Sequence, residues 1–129
     1  MRHLSSLADI PDMPAPSVLV PTMGALHDGH AALIRAAREI ADKDGSVLAS
    51  IFLNPLQFDR PGDLADYPRT LETDLALCED LGVDAVFTPS PVEFYPADHS
   101  IMVRETLLSR NLCGATRSSH FEGVCTVVL

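Results

Sequence analysis

His27 and His30 are the residues whose types and spacing point most directly to chemistry. They lie in Pro21-Thr-Met-Gly-Ala-Leu-His-Asp-Gly-His30, directly after the apolar run Val18-Leu-Val20. At i and i+3 the two imidazoles project from nearly the same face of an opening helical turn. Gly24 and Gly29 let backbone approach a ligand with no Cβ in the way. A strand, a tight turn and a helix start together present N–H groups and a positive helix end, which suits phosphate. Two imidazoles there can donate hydrogen bonds to phosphate oxygens as charge builds on a leaving pyrophosphate. A donor aimed at developing charge is worth about 3–4 kcal/mol in a transition state. No GxxxxGK[ST] and no lysine near the glycines is present, so this is phosphate chemistry without a P-loop. Asp28, between the histidines, reads as a first-turn residue favoured by the helix dipole. The competing use of the histidines is zinc, but no cysteine or carboxylate cluster completes a four-ligand set, and no metal ligands are assigned.

Those side chains need elements to hold them. Ser17–Val20 reads as a short strand buried on both faces, because it is apolar without alternation. A helix follows His30, with Leu33, Ile34, Ala37, Ile40 and Ala41 as its apolar stripe and Asp44-Gly45 as its end. Val47–Leu53 reads as a second buried strand. Strand, helix, strand makes a βαβ unit, which implies parallel pairing and a right-handed crossover. Pro55, Pro61, Gly62 and Pro68 predict a long loop over 54–68, and loops of that length are usually functional or disordered. A helix is expected from about Thr70, with Leu71, Leu75, Cys78 and Leu81 on one face and Gly82 as its stop. Asp84–Thr88 reads as a third strand, Glu93–Pro96 as a turn, Ser100–Val103 as a strand and Thr106–Leu112 as a helix closed by Gly114. Residues 1–15 read as an irregular lead-in with one turn of helix. Phe121, Val124, Cys125 and Val128 predict a helix starting near His120, the alternative being a strand over Val124–Leu129. Either element runs off Leu129 without a stop signal, as in a truncated chain.

The totals fix the broad class. At 129 residues the chain is about one domain long. Nine basic against eighteen acidic side chains give a formal charge of −9, against nonspecific binding to nucleic acid or to an anionic membrane. A small anionic ligand remains compatible, since a site can be locally positive. The three cysteines lack CxxC spacing and read as reduced thiols of a cytoplasmic protein. The N-terminus has no signal-peptide h-region, and no apolar stretch reaches the roughly 18 residues of a membrane span.

The segment Pro21–His30 resembles the signature of the pantothenate synthetase (pantoate–β-alanine ligase) family. That family belongs to the HxGH nucleotidyltransferase-like group. The likeness continues, in order, through Ser50-Ile-Phe-Leu-Asn-Pro-Leu-Gln-Phe58, Asp66-Tyr-Pro-Arg-Thr70, Gly82-Val-Asp-Ala-Val-Phe87, Pro89-Ser90 with Glu93 and Tyr95-Pro96, and His120-Phe-Glu-Gly-Val124. It implies an α/β fold, a Rossmann-like parallel sheet flanked by helices. It also implies a two-step ligase. ATP, with Mg2+, adenylates pantoate and releases pyrophosphate, and β-alanine then attacks the pantoyl adenylate to give pantothenate and AMP.

By the same resemblance, Met23, Gly24, Ala25, Leu26, His27, Asp28, Gly29 and His30 line the ATP site. His30 takes the place of the family's proton donor, and His27 helps bind the triphosphate. Gln57, Asn54, Pro21 and Met23 form the pantoate and β-alanine site. Gln57 carries donor and acceptor together, so it can hold a hydroxyl and a carboxylate without adding charge. Tyr67, Pro68 and Arg69 would shape the site wall or its covering loop, with structural packing an equally good reading. The family is typically a cytoplasmic homodimer.

Two departures stand out. Arg117-Ser-Ser-His-Phe121 replaces the family's usual Arg-Pro-Gly-His-Phe, so Ser118 and Ser119 should change the local turn. The family chain is also about twice as long. A lysine-bearing stretch, a phosphate-clamping loop and the C-terminal lid domain have no counterpart here. The expectation is an incomplete nucleotide-binding domain over 1–129, weakly active or inactive alone. The alternatives are another HxGH nucleotidyltransferase, which lacks the Asn-Pro-Leu-Gln-Phe stretch, and a non-catalytic nucleotide-binding or dimerisation fragment.

Overall fold

The computed structural model describes residues 1–59 and 61–129. Arg60, inside the expected loop over 54–68, lies outside the described residues. Four strands form one parallel sheet in the order β1-β4-β3-β2: β1 (Arg2–Leu4), β2 (Ser17–Thr22), β3 (Ser46–Ile51) and β4 (Ala85–Phe87). The register pairs Val18 with Val47 and Val20 with Ala49, and Leu48 with Ala85. The expected βαβ unit with parallel pairing is present, α1 (Asp28–Ala41) joining β2 to β3.

Helices α1 and α3 (Leu71–Asp80) cover one face of the sheet. Val20, Ile34, Ala37, Ala41, Val47, Ala49, Cys78 and Val86 make that core. The opposite face carries a smaller cluster of Leu4, Ala85 and Phe87, with Ile10 and Met13 from the lead-in and Phe94 from α4 (Pro91–Phe94) packed against it. The rest of that second face stays open as a cleft.

Several expectations change. Only Val20 of the β2 run is buried. Leu19 is 49% exposed, because β2 is an edge strand whose outer-face side chain looks into the cleft. On α1 the buried stripe is Ala31, Ile34, Ala37 and Ala41, while Leu33 and Ile40 lie off it at 58% and 66% exposure. Small side chains fill the closest approach to the sheet, which rotates the larger pair outward. The lead-in contributes β1, paired to β4, as well as the expected helical turn at Leu7–Asp9. The loop after Asn54 holds a 3-10 turn at Pro55–Gln57 and a short α2 (Pro61–Ala65).

Ser100–Val103 is not a strand. The Val103 N–H donates to the Thr126 hydroxyl at 2.9 Å, so this segment pairs with a helix side chain and not with the sheet. The helix expected over Thr106–Leu112 is a 3-10 turn at Leu108–Arg110 followed by α5 (Cys113–Thr116). The Glu105 carboxylate accepts from the N–H groups of Leu107 and Ser109 there, holding that chain in turns. The terminal helix forms as α6 (His120–Val128), and the strand alternative is excluded. All three cysteines are free thiols.

Candidate active site

The turn after β2 is built from behind. Gly24 (φ +83°) and Ala25 (φ +51°) both adopt the left-handed region. Glycine does so freely, but a left-handed alanine costs about 1–2 kcal/mol. Asp74 offsets that cost. Its carboxylate accepts from the Ala25 N–H at 2.9 Å and the Leu26 N–H at 2.8 Å, and from the Thr70 hydroxyl at 3.1 Å. Hydrogen bonds to a charged acceptor contribute about 1.5–3 kcal/mol each. A Cβ on Gly24 would stand 3.1 Å from the Asp74 Oδ2 and the Ile51 Cγ2, so the turn sits tightly on both. Asp74 is 3% exposed, on the inward face of α3.

The two histidines then cap α1 reciprocally. His27 is the N-cap, its Nδ1 accepting from the Gly29 N–H at 3.1 Å, while the His27 N–H donates to the His30 Nδ1 at 3.3 Å. This is a capping box made from imidazoles in place of Ser/Thr and Glu/Gln. Gly29 makes it possible, because a Cβ there would meet the His27 Cε1 at 2.9 Å. The rings lie 4.1 Å apart between centroids.

This geometry sets the tautomers. A nitrogen that accepts from a backbone N–H carries no proton, so in each neutral ring the proton sits on Nε2. No group among the described residues engages either Nε2. Both rings are therefore poised as Nε2–H donors. Burial, reinforced by the charge of neighbouring His27, holds the His30 imidazole below its ordinary pKa, with Asp74 pulling the other way. His30 stays neutral and capped near pH 7.

The expected cradle of backbone N–H groups over Gly24–Gly29 is largely spent. Gly24 donates to the Thr22 hydroxyl at 3.2 Å, Ala25 and Leu26 to Asp74, and His27 and Gly29 to the imidazoles. Among the donors left free at this turn are the two ring Nε2–H groups.

The cleft, about 640 Å³, opens at the carboxyl ends of β2 and β3 and falls within the size range of small-molecule sites. Pro21, Met23, His30 and Gln57 line it together, with Leu19, Leu48, Phe52, Val124 and Val127 as its apolar walls. Gln57 is 7% exposed, and no group among the described residues engages its carboxamide. His120 holds the Gln57 backbone, its Nδ1–H donating to the carbonyl at 3.1 Å.

Asn54, expected beside the substrate, does not line the cleft. It is fully buried, its Nδ2 donating to the Gly123 carbonyl at 2.9 Å and its Oδ1 accepting from the Leu56 N–H and, at 3.0 Å, from the Tyr95 hydroxyl. It fastens the Gln57 turn to α6. Gly123 is the matching contact, since a Cβ there would lie 2.6 Å from the Leu56 carbonyl oxygen. Tyr67, Pro68 and Arg69 also lie off the cleft, Tyr67 stacking edge-on to Phe58 at 5.7 Å. At the Ser118-Ser119 departure, the Ser119 hydroxyl bonds Asp59 and Arg117 lies 3.9 Å from Asp63, so the segment grips the loop after Gln57. The residues that sequence reasoning missed are Asp74, Thr70 and His120.

The family model for pantoate-beta-alanine ligase matches residues 5–129. The chain belongs to that family. It is 60% identical over 111 residues to the pantothenate synthetase of Akkermansia muciniphila, covering 86% of this chain and 40% of that protein. It is 53% identical over 118 residues to the bifunctional pantoate ligase/cytidylate kinase of a Synechococcus strain, covering 89% and 22%. Among solved structures, a pantothenate synthetase from Thermus thermophilus superposes with a TM-score of 0.86 at 43% identity, over 99% of this chain and 46% of that one. The pantoate-beta-alanine ligase from Francisella tularensis, complexed with β-γ ATP and β-alanine, superposes with a TM-score of 0.84 at 34% identity, over 99% and 51%. This ligase-family chain thus spans between about a fifth and a half of the length of these relatives. Its Rossmann-like, nucleotidyltransferase-type fold agrees with the sequence expectation.

Proposed function

We propose that this chain carries the adenylation half of a pantoate–β-alanine ligase site. A carboxylate oxygen of pantoate attacks the α-phosphorus of ATP, and the bond to pyrophosphate breaks. The Nε2–H groups of His30 and His27 donate to phosphate oxygens as charge grows on the leaving pyrophosphate. The amine of β-alanine then attacks the acyl carbon, loses a proton and expels AMP, leaving pantothenate. Gln57 offers its free carboxamide to the pantoate hydroxyls, with Pro21 and Met23 beside it, while Asn54 positions Gln57 from behind.

The observation that carries this reading is a single one: His30, tied by Nδ1 and free at Nε2, lines the same cleft as the unengaged Gln57 carboxamide. The Francisella relative with β-γ ATP and β-alanine supports the ligand assignment.

Mg2+ enters with the nucleotide, neutralising its phosphates. Magnesium held by nucleotide phosphates needs only one or two protein carboxylates, and no residue of this chain is assigned to it. Residues of a C-terminal lid domain complete the site in this reading, and the 129 residues alone turn over weakly or not at all. A homodimer in the cytoplasm belongs to the same reading. The three thiols are free, and no helix among the described residues is long and apolar enough to cross a membrane.

Pantoate-dependent exchange of labelled pyrophosphate into ATP, run in the whole protein without β-alanine, tests the proposal. Exchange should require pantoate. Exchange supported by a phosphate acceptor in its place would assign the site to another HxGH nucleotidyltransferase, and pantothenate formed by the 129 residues alone as fast as by the whole protein would refute the shared site.

A further inference from the structure

Asp74 is a buried carboxylate with no lysine or arginine against it among the described residues. Its oxygens take the adjacent N–H groups of Ala25 and Leu26, one each, and Oδ2 also takes the Thr70 hydroxyl. Those two amides belong to the turn that a phosphate-binding loop would aim at its ligand. Here they point inward, at an anion already in place. A nucleotide cannot take them without stripping Asp74 of its partners inside the fold.

We propose that Asp74 is a positioning residue for the nucleotide. It turns the Ala25 and Leu26 N–H groups away from the ligand and so fixes where the imidazoles present Nε2. Phosphate is received by His27 and His30 side chains, and the two amides remain on Asp74 when ATP is bound. This inference rests on the ATP reading of the cleft. Two oxygens bearing one charge are what the arrangement needs. Asparagine at this position offers one acceptor and faces an N–H with its own NH2, leaving one amide without a partner. Ala25 then loses what holds it left-handed, and His27, two residues on, moves with it. The charges that reach His30 are those of His27, on the same turn, and Asp74, on α3.

The test is amide hydrogen exchange and nitrogen chemical shift in the whole protein, with and without ATP. Ala25 and Leu26 should be protected in both states and shift little, while the His27 and His30 Nε2 signals move. Large ATP-induced shifts at the two amides, or exchange as fast as in an open loop, would overturn the inference. No ATP-induced shift anywhere would instead remove the nucleotide reading beneath it. Asp74→Asn should lower kcat of pantoate-dependent exchange about 10²-fold, with a smaller change in KM for pantoate. It should also lower the midpoint of His30 titration, and Asp74→Glu, which keeps both oxygens and the charge, should recover part of the rate. An Asp74→Asn protein that folds, titrates His30 as before and keeps its kcat would contradict the assignment. Should that variant not fold, the amide measurement decides.

Discussion

The backbone N–H of His27 donates to the Nδ1 of His30 at 3.3 Å, so the two histidines of the motif cap one helix start reciprocally. A cap and a phosphate donor thereby share one ring, Nδ1 serving the fold and Nε2 left for the ligand. The two duties are separable by substitution.

His27→Asn keeps a capping oxygen and removes the Nε2 donor. Stability should stay within about 0.5 kcal/mol, since asparagine is a good N-cap. ATP affinity should fall. His30→Gln retains an acceptor for the His27 N–H and removes the ring donor, and should cut the adenylation rate about 10²–10³-fold. Urea unfolding beside pyrophosphate exchange checks both. A variant that loses stability and keeps its rate would mean that the ring only caps.

Gly29→Ala acts on the cap through sterics. The added Cβ meets the His27 ring at 2.9 Å and displaces it. Loss of the cap should cost about 0.5–2 kcal/mol, and the activity should drop with it. Unchanged stability would show that the ring does not lie over the Gly29 N–H.

Acid should weaken the fold through His30. Its folded pKa is lowered by burial and by His27, so the unfolded chain takes up a proton first as pH falls. The stabilising contribution is present above the unfolded value of about 6.5 and is lost as pH falls through the lower folded value. Comparing urea midpoints of the wild type and His30→Gln between neutral and acid pH isolates this contribution. The wild type should lose more stability on acidification. A larger loss in the variant would reverse the sign of the shift.

Gly123→Ala addresses the seam beneath Gln57. The new Cβ would lie 2.6 Å from the Leu56 carbonyl, so α6 and the Pro55–Gln57 turn must part. Overpacking of this kind costs about 1–3 kcal/mol. KM for pantoate should rise with that loss, because Gln57 moves. A change in melting temperature with KM unaltered would place Gln57 away from the substrate.

The parts of this molecule legible from sequence are those with a local cause. The α1 start, β3 and α6 follow from periodicity and turn residues, and HxGH with the Asn-Pro-Leu-Gln-Phe stretch carried the family. Asp74 was not legible, because a stripe scored by apolar side chains skips a buried carboxylate on the same face. The placement of Asn54 was not legible for a related reason. Its neighbour Gln57 faces the cleft, and only the contact with Gly123, 69 residues away, shows that Asn54 faces the other way. β1 pairs with β4 across more than eighty residues, a register that no local pattern encodes.

Everything proposed for the nucleotide depends on both histidines being tied by Nδ1 and presenting a protonated Nε2. Long-range proton–nitrogen correlation on protein labelled with nitrogen-15 in histidine reads this directly. The expected result is the Nε2–H tautomer for His27 and His30 near neutral pH, with ATP moving their Nε2 signals and leaving Nδ1 nearly fixed. A protonated Nδ1 on either ring, or an ATP response confined to Nδ1, would contradict it.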